Sequence, residues 1–147
     1  MREAKITVKS DTMSSGESQK MDLVSFGGYA EKNRVHYARY EESEMTGMEG
    51  SVTTIKWWDD QVTLIRHGSY SMQQEFKEGM THRCMYHTPY MDIPIAVTTS
   101  RLNVERIPSG WRLELQYDLS YGEGDGETNR MKLEILVEPE AEKDGEN

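Results

Sequence analysis

Within a single short stretch the chain carries His82, Cys84 and His87, side-chain types that ligate zinc. In an extended strand side chains alternate, so His82 and Cys84 share a face and His87 points to the other. Only His36 and His67 remain as further imidazoles, and a structural zinc site wants four nitrogen or sulfur ligands. The expectation is therefore no metal and no cofactor, with Cys84 a small buried hydrophobe beside Met80 and Tyr86. Nucleophilic catalysis has equally little material. There is no Gly-x-Ser-x-Gly elbow, and Cys84 lacks a local signature. Asp59 and Asp60 are adjacent carboxylates in what reads as a hairpin turn, where Asp serves the backbone. The segment Gly122 to Gly126 lacks the Lys-Ser/Thr and the helix of a phosphate loop. No catalytic residue is assigned. The reading leans away from an enzyme, although groups converging from distant strands would leave no local trace.

Arg66 asks for an explanation. It shares parity with Val62 and Leu64 and so points into whatever those residues bury. An inward guanidinium is costly without a carboxylate or several acceptors. Three arrangements satisfy it. The strand can end at Gly68 and leave the head of Arg66 in water at a rim. The head can anchor the carboxylate or phosphate of a ligand. It can also pair with a carboxylate of the protein itself. Trp57, Tyr86, Tyr90, Trp111 and Tyr117 lie on separate segments and could converge in one interior. Core packing is their default role, but buried tyrosine hydroxyls need partners, and a pocket would supply a reason for several. The ligand-binding set expected from sequence is Arg66, Trp57, Tyr86, Tyr90 and Tyr117. The 10 methionines suit either an adaptable interior or ordinary core filling.

The elements that must position these residues are strands. Trp111, Leu113, Leu115, Tyr117, Leu119 and Tyr121 alternate with polar residues, as do Met131, Leu133, Ile135 and Val137. Tyr70, Met72 and Phe76 do the same between Ser71, Gln73, Glu75 and Lys77. Period two over such lengths means one buried face and one wet face. Further strands are read around Ile6 to Val8, Met21 to Phe26, Val35 to Tyr40, Val52 to Trp58, Val62 to His67, Met80 to His87 and Ile93 to Glu105. The parity change from Leu23 to Val24 and Phe26 suggests a bulge or bend, and a second bulge is expected near Thr98-Thr99-Ser100. Short turns rich in Gly, Asn, Asp and Pro separate the strands, so neighbours should pair as hairpins. Glu41 to Glu49 reads as a loop with at most one helical turn. Pro139 closes the last strand. The division is thus a β-barrel domain over residues 1–138 and a disordered acidic tail over 139–147.

No helix is read that could cover these apolar faces, so the sheet must close on itself. The fold class is all-β: a barrel or a two-layer sandwich, with sequential hairpins and long bulged strands favouring a single antiparallel up-and-down barrel of about 8–10 strands. At 147 residues one domain is expected. Seventeen basic against 26 acidic residues give a net charge of −9, which opposes nucleic acid and anionic membranes as partners. The lone cysteine and the absence of an apolar leader or long apolar run fit the cytoplasm.

The set Tyr40-Glu41-Glu42, Thr53-Thr54-Ile55-Lys56, Val62 to Gly68, Phe76-x-x-Gly79 and Tyr86-x-Thr88-Pro89-Tyr90 resembles the YwiB-like family of small bacterial calycin-like barrel proteins. The resemblance runs from about Lys5 to Val137. It implies the calycin- or lipocalin-like barrel fold and a cytosolic protein, and it carries no activity with it. Two readings of function follow. One is a non-enzymatic barrel holding a small apolar or amphiphilic ligand. The other is a protein–protein interaction module with a packed barrel and no ligand. The sequence does not fix an oligomeric state, and a homodimer through an edge strand is one assembly it leaves open. A cavity of roughly 300 Å³ or more would favour the first reading.

Overall fold

A computed structural model of the chain describes residues 1–14, 16–122 and 128–141. Ten strands run through it: β1 (Arg2–Ser14), β2 (Glu17–Lys32), β3 (Val35–Glu41), β4 (Ser51–Trp58), β5 (Gln61–Gly68), β6 (Met72–Phe76), β7 (Thr81–His87), β8 (Asp92–Ile107), β9 (Gly110–Tyr121) and β10 (Thr128–Pro139). All pairs are antiparallel, in the order β6-β5-β4-β3-β2-β1-β10-β9-β8-β7. Consecutive strands are therefore neighbours, and the first strand pairs with the last from Ala4↔Pro139 to Met13↔Arg130. That is an up-and-down barrel, nearly closed.

Alternation sorts the residues as read. Ile6, Ile55, Leu113, Leu115, Ile135 and Val137 form the interior core, while Lys9, Arg112, Glu114, Lys132 and Glu134 stand on the other parity. The outside is thus charged and the inside apolar, the reverse of a membrane barrel. No helix among the described residues is long and apolar enough to cross a membrane. The loop from Glu42 to Gly50 contains one 3-10 turn, Glu44–Thr46, capped by the Ser43 side chain and by Gly47 at φ +75°.

The expected bulge in β8 is present, with the register shifting between Thr99 and Arg101. The one expected in β2 is not. β2 keeps an unbroken register with β1 from Tyr29 to Glu17, so Val24 and Phe26 stay on the outer face and are exposed. Their parity marks an apolar patch rather than a bend. At the C-terminus the ladder runs beyond residue 138: Pro139 pairs with Ala4, and the Glu140 amide donates to the Glu3 carbonyl (2.8 Å). The expected domain boundary is therefore slightly early. The rest of the expected tail, residues 142–147, and most of the Gly122 to Gly126 turn lie outside the described residues.

Between β6 and β7 the barrel is joined by side chains rather than by a ladder. One backbone bridge links Ser71 and His87 through two bonds of 2.9 Å. Further along, the Glu75 amide donates to His82 Nδ1 (3.2 Å), Gln74 Nε2 donates to the same nitrogen (2.9 Å), and the Cys84 thiol donates to Gln74 Oε1 (3.2 Å). Because Nδ1 accepts, the imidazole proton sits on Nε2, which faces Glu75 Oε2 at 3.1 Å. Cys84 is therefore half-buried and hydrogen-bonded, not the plain hydrophobe expected. Burial raises its thiol pKa.

Candidate functional site

One end of the barrel is filled. His36, Trp57, Trp111 and Tyr29 cluster there, with His36 tilted on Trp111 at 4.3 Å and stacked on Trp57 at 5.3 Å between ring centroids. The Tyr29 hydroxyl bonds to His36 Nδ1 at 2.7 Å. Burial lowers the pKa of His36, which favours the neutral ring. Trp57 is completely buried in this plug. It is a core residue and does not reach the cavity described next, which corrects its place in the expected binding set.

Above the plug lies a cavity of about 230 Å³, lined by apolar side chains from seven strands with Arg66, Gln74, Tyr86 and Tyr117 among them. The period-two register makes this lining. Leu64 and Arg66 come inward from β5, Phe76 from β6, Val97 from β8, Tyr117 and Leu119 from β9, and Ile135 from β10. Three of the five expected residues, Arg66, Tyr86 and Tyr117, therefore meet in one space. Tyr90 does not. It sits in the β7–β8 turn, where the Thr88 hydroxyl accepts from the Tyr90 amide, and its side chain is 87% exposed. Pro89 and Tyr90 belong to turn chemistry, and the aromatic ring is left on the surface.

Arg66 is held at the inner wall. Its side chain is 11% exposed, so the head does not stand in water at a rim. Nε donates to Thr53 Oγ1 (3.2 Å), Nη1 donates to the Tyr86 hydroxyl (3.4 Å), and Nη2 lies 3.7 Å from Glu42 Oε2. The guanidinium carbon also sits 6.0 Å above the Tyr86 ring. Thr53 is the residue directly opposite Arg66 in the β4–β5 ladder, which is why the two side chains meet. The Thr53 hydroxyl in turn donates to Glu42 Oε2 (3.1 Å).

Glu42 is the residue that sequence reasoning missed. It reads as part of an acidic surface run, yet its side chain is only 1% exposed and its Oε1 has no hydrogen-bond partner among the described residues. Burial raises its pKa, and this outweighs the opposing pull of Arg66 and the Thr53 hydrogen bond. The signal was present in parity, since His36, Ala38, Tyr40 and Glu42 are all buried at alternate positions. Tyr40 lines the cavity beside this pair, and burial followed by the nearby Glu42 pushes its pKa up to about 12. Tyr117 is likewise raised to about 12, chiefly by burial. Both phenols are neutral donors at ordinary pH. The loop after β3 reaches over this end, where Met48 Sδ accepts from the Tyr86 hydroxyl at 3.2 Å.

Chemically, the arrangement offers a compact apolar space with a cation, neutral phenols and an amide on its wall. It is suited to binding. No group of three or more His, Cys, Asp or Glu side chains among the described residues is placed to hold a metal.

The family described as a domain of unknown function, DUF1934, matches residues 6–135. The chain is similar to a protein of Bacillus subtilis (strain 168) described as the uncharacterized beta-barrel protein YwiB. Identity is 24% over 128 residues, covering 86% of this chain and 87% of that protein. The crystal structure of the ywiB protein from Bacillus subtilis superposes with a TM-score of 0.79 at 19% identity, covering 95% of this chain and 93% of that one. At that identity the likeness speaks for the fold.

Proposed function

The chain belongs to the DUF1934 family and its fold is that of the YwiB β-barrel, and on that premise we propose that the barrel binds a small, compact, mostly apolar molecule whose anionic group lies against Arg66. The observation that carries this reading is a cation on the wall of an apolar cavity. Arg66 is screened from bulk water yet lines the same space as Leu64, Phe76, Ile95 and Val97. A guanidinium has five N–H donors, and the hydrogen bonds to Thr53 and Tyr86 use two of them.

Volume restricts the ligand. At about 230 Å³ the cavity falls below the range usual for drug-sized ligands. By comparison with an engineered 150 Å³ cavity that binds benzene, it holds roughly nine heavy atoms. A long-chain amphiphile is too large, so the fitting class narrows to short branched or aromatic carboxylates. The volume falls short of the roughly 300 Å³ that would favour a ligand by size, so the reading rests on Arg66 at an apolar wall, and a packed barrel acting through its surface is the competing reading.

Thermal melts with benzoate, phenylacetate and hexanoate test the reading. A ligand at about 100 times its Kd stabilises by about 2.7 kcal/mol, which raises the Tm by several degrees for a domain of this size. The rise should disappear in Arg66→Met. No shift with any small carboxylate, or an equal shift in Arg66→Met, overturns the proposal.

A further inference from the structure

Among the described residues, the longest exposed backbone edge belongs to β2. On one side β2 pairs with β1 from Glu17 to Tyr29, but on the other it pairs with β3 only from Gly28 to Lys32. The backbone from Glu17 to Gly27 therefore has no strand partner on that side among the described residues. This is the kind of edge that pairs with another chain unless charge, proline or a covering segment prevents it. β2 has no proline or cover here, and it exposes Met21, Val24 and Phe26 instead. The comparable free stretch of β8 differs, because the Leu102 amide there already donates to Glu78 Oε1 (2.9 Å).

We infer that this edge is the contact between two copies of the chain, joined antiparallel about a two-fold axis at Met21. Geometry leaves few registers. A two-fold axis perpendicular to the sheet keeps both outer faces outward, so only residues of equal parity can stand opposite one another. Centring the axis on residue 20 sets Lys20 against Lys20, and centring it on residue 22 sets Asp22 against Asp22. Centring it on Met21 sets Lys20 of each copy opposite Asp22 of the other, twice over. The match continues inward, since within each hairpin Lys20 stands opposite Asp11 and Asp22 opposite Lys9. Each joined row then reads Lys9, Asp22, Lys20, Asp11, alternating in sign across four strands. On the inner face Met21 meets Met21. The exposed Phe26 reaches the Gly16 turn of the other copy, where nothing lies within 4 Å of the glycine's missing side chain.

The edge charges make the test. Lys20→Asp leaves two acids on the edge and Asp22→Lys leaves two lysines, so each variant should repel itself. Sedimentation equilibrium at micromolar to about 100 µM protein should show a wild-type dimer and at least tenfold weaker self-association in each variant. An equimolar mixture of the two variants should form a 1:1 heterodimer, because the two edge acids of one copy then face the two edge lysines of the other. Each variant also alters one pair inside its own hairpin, and the heterodimer separates that effect from the contact itself. A monomeric wild type, which would leave the edge to an extended peptide of another protein, overturns the proposal. So do homodimers persisting in both variants, or a mixture that stays monomeric.

Discussion

Arg66 and Glu42 face each other at 3.7 Å inside the barrel, the one 11% and the other 1% exposed. Such a pair is costly to bury and more costly to break, because removing one partner leaves the other's charge in a low dielectric. The raised pKa of Glu42 says that burial outweighs its attraction to Arg66. The pair is better understood as positioning the guanidinium than as a source of stability.

Glu42→Gln should therefore become relatively more stable as pH rises. At a pH below the ordinary value of 4.5, folded and unfolded wild type both hold the proton. Between that value and the raised folded pKa, the folded state keeps a proton that the unfolded state has lost, so wild-type stability declines with pH. Glutamine has no proton to lose and escapes this decline. Urea midpoints of both proteins from about pH 4 to 8 check the sign. A wild type that gains on the variant with rising pH would mean that Arg66 holds Glu42 below its ordinary pKa.

Arg66→Met should destabilise by about 3–5 kcal/mol at neutral or higher pH, because Glu42 is left unpaired. The loss should shrink as the pH falls, because Glu42, its pKa raised further once Arg66 is gone, takes up a proton in the folded variant. A loss independent of pH would show that packing of the arginine stem, not the stranded acid, sets the cost.

Much of this fold was legible from alternation alone. The inward direction of Arg66, the shared face of His82 and Cys84, and the irregularity after Thr99 all follow from period two. What was not legible depends on contacts between distant strands. Glu42 looked like surface because its neighbours Glu41, Ser43 and Glu44 are exposed acids and a hydroxyl. Burial of Gln74 arises only because β6 and β7 meet without a ladder and need a side chain to join them. Trp57 and Tyr117 are both inward aromatics, and only strand stagger decides that one is in the plug and the other on the cavity wall.

Trp111→Ala should cost about 3–5 kcal/mol. Its ring packs edge-on against Trp57 at 6.2 Å and tilted on His36, while Arg106 lies 5.4 Å above it. Denaturant unfolding measures the loss. An unchanged midpoint would show that the aromatic plug does not hold the filled end together.

Gly27→Ala should also destabilise, for a steric reason. A Cβ at that position would come 2.0 Å from the Arg39 carbonyl oxygen, where β3 crosses close over β2. Backbone must move to admit it, at about 1–3 kcal/mol. Gly47→Ala meets open space and bears only the strain of its left-handed backbone, about 1 kcal/mol. Equal Tm values for Gly27→Ala and wild type would contradict the close crossing.

The most direct measurement is a titration of isotope-labelled protein with benzoate, followed by NMR at the Arg66 side chain and at the rings of Phe76, Tyr86 and Tyr117. Benzoate fits the volume and carries the anionic group, and neutral benzyl alcohol serves as its control. The account predicts saturable shifts confined to the cavity, with benzoate bound about ten- to a hundredfold more tightly than benzyl alcohol, as one charge-assisted contact implies. Shifts confined to the outer surface, or equal affinity for the two compounds, would contradict it.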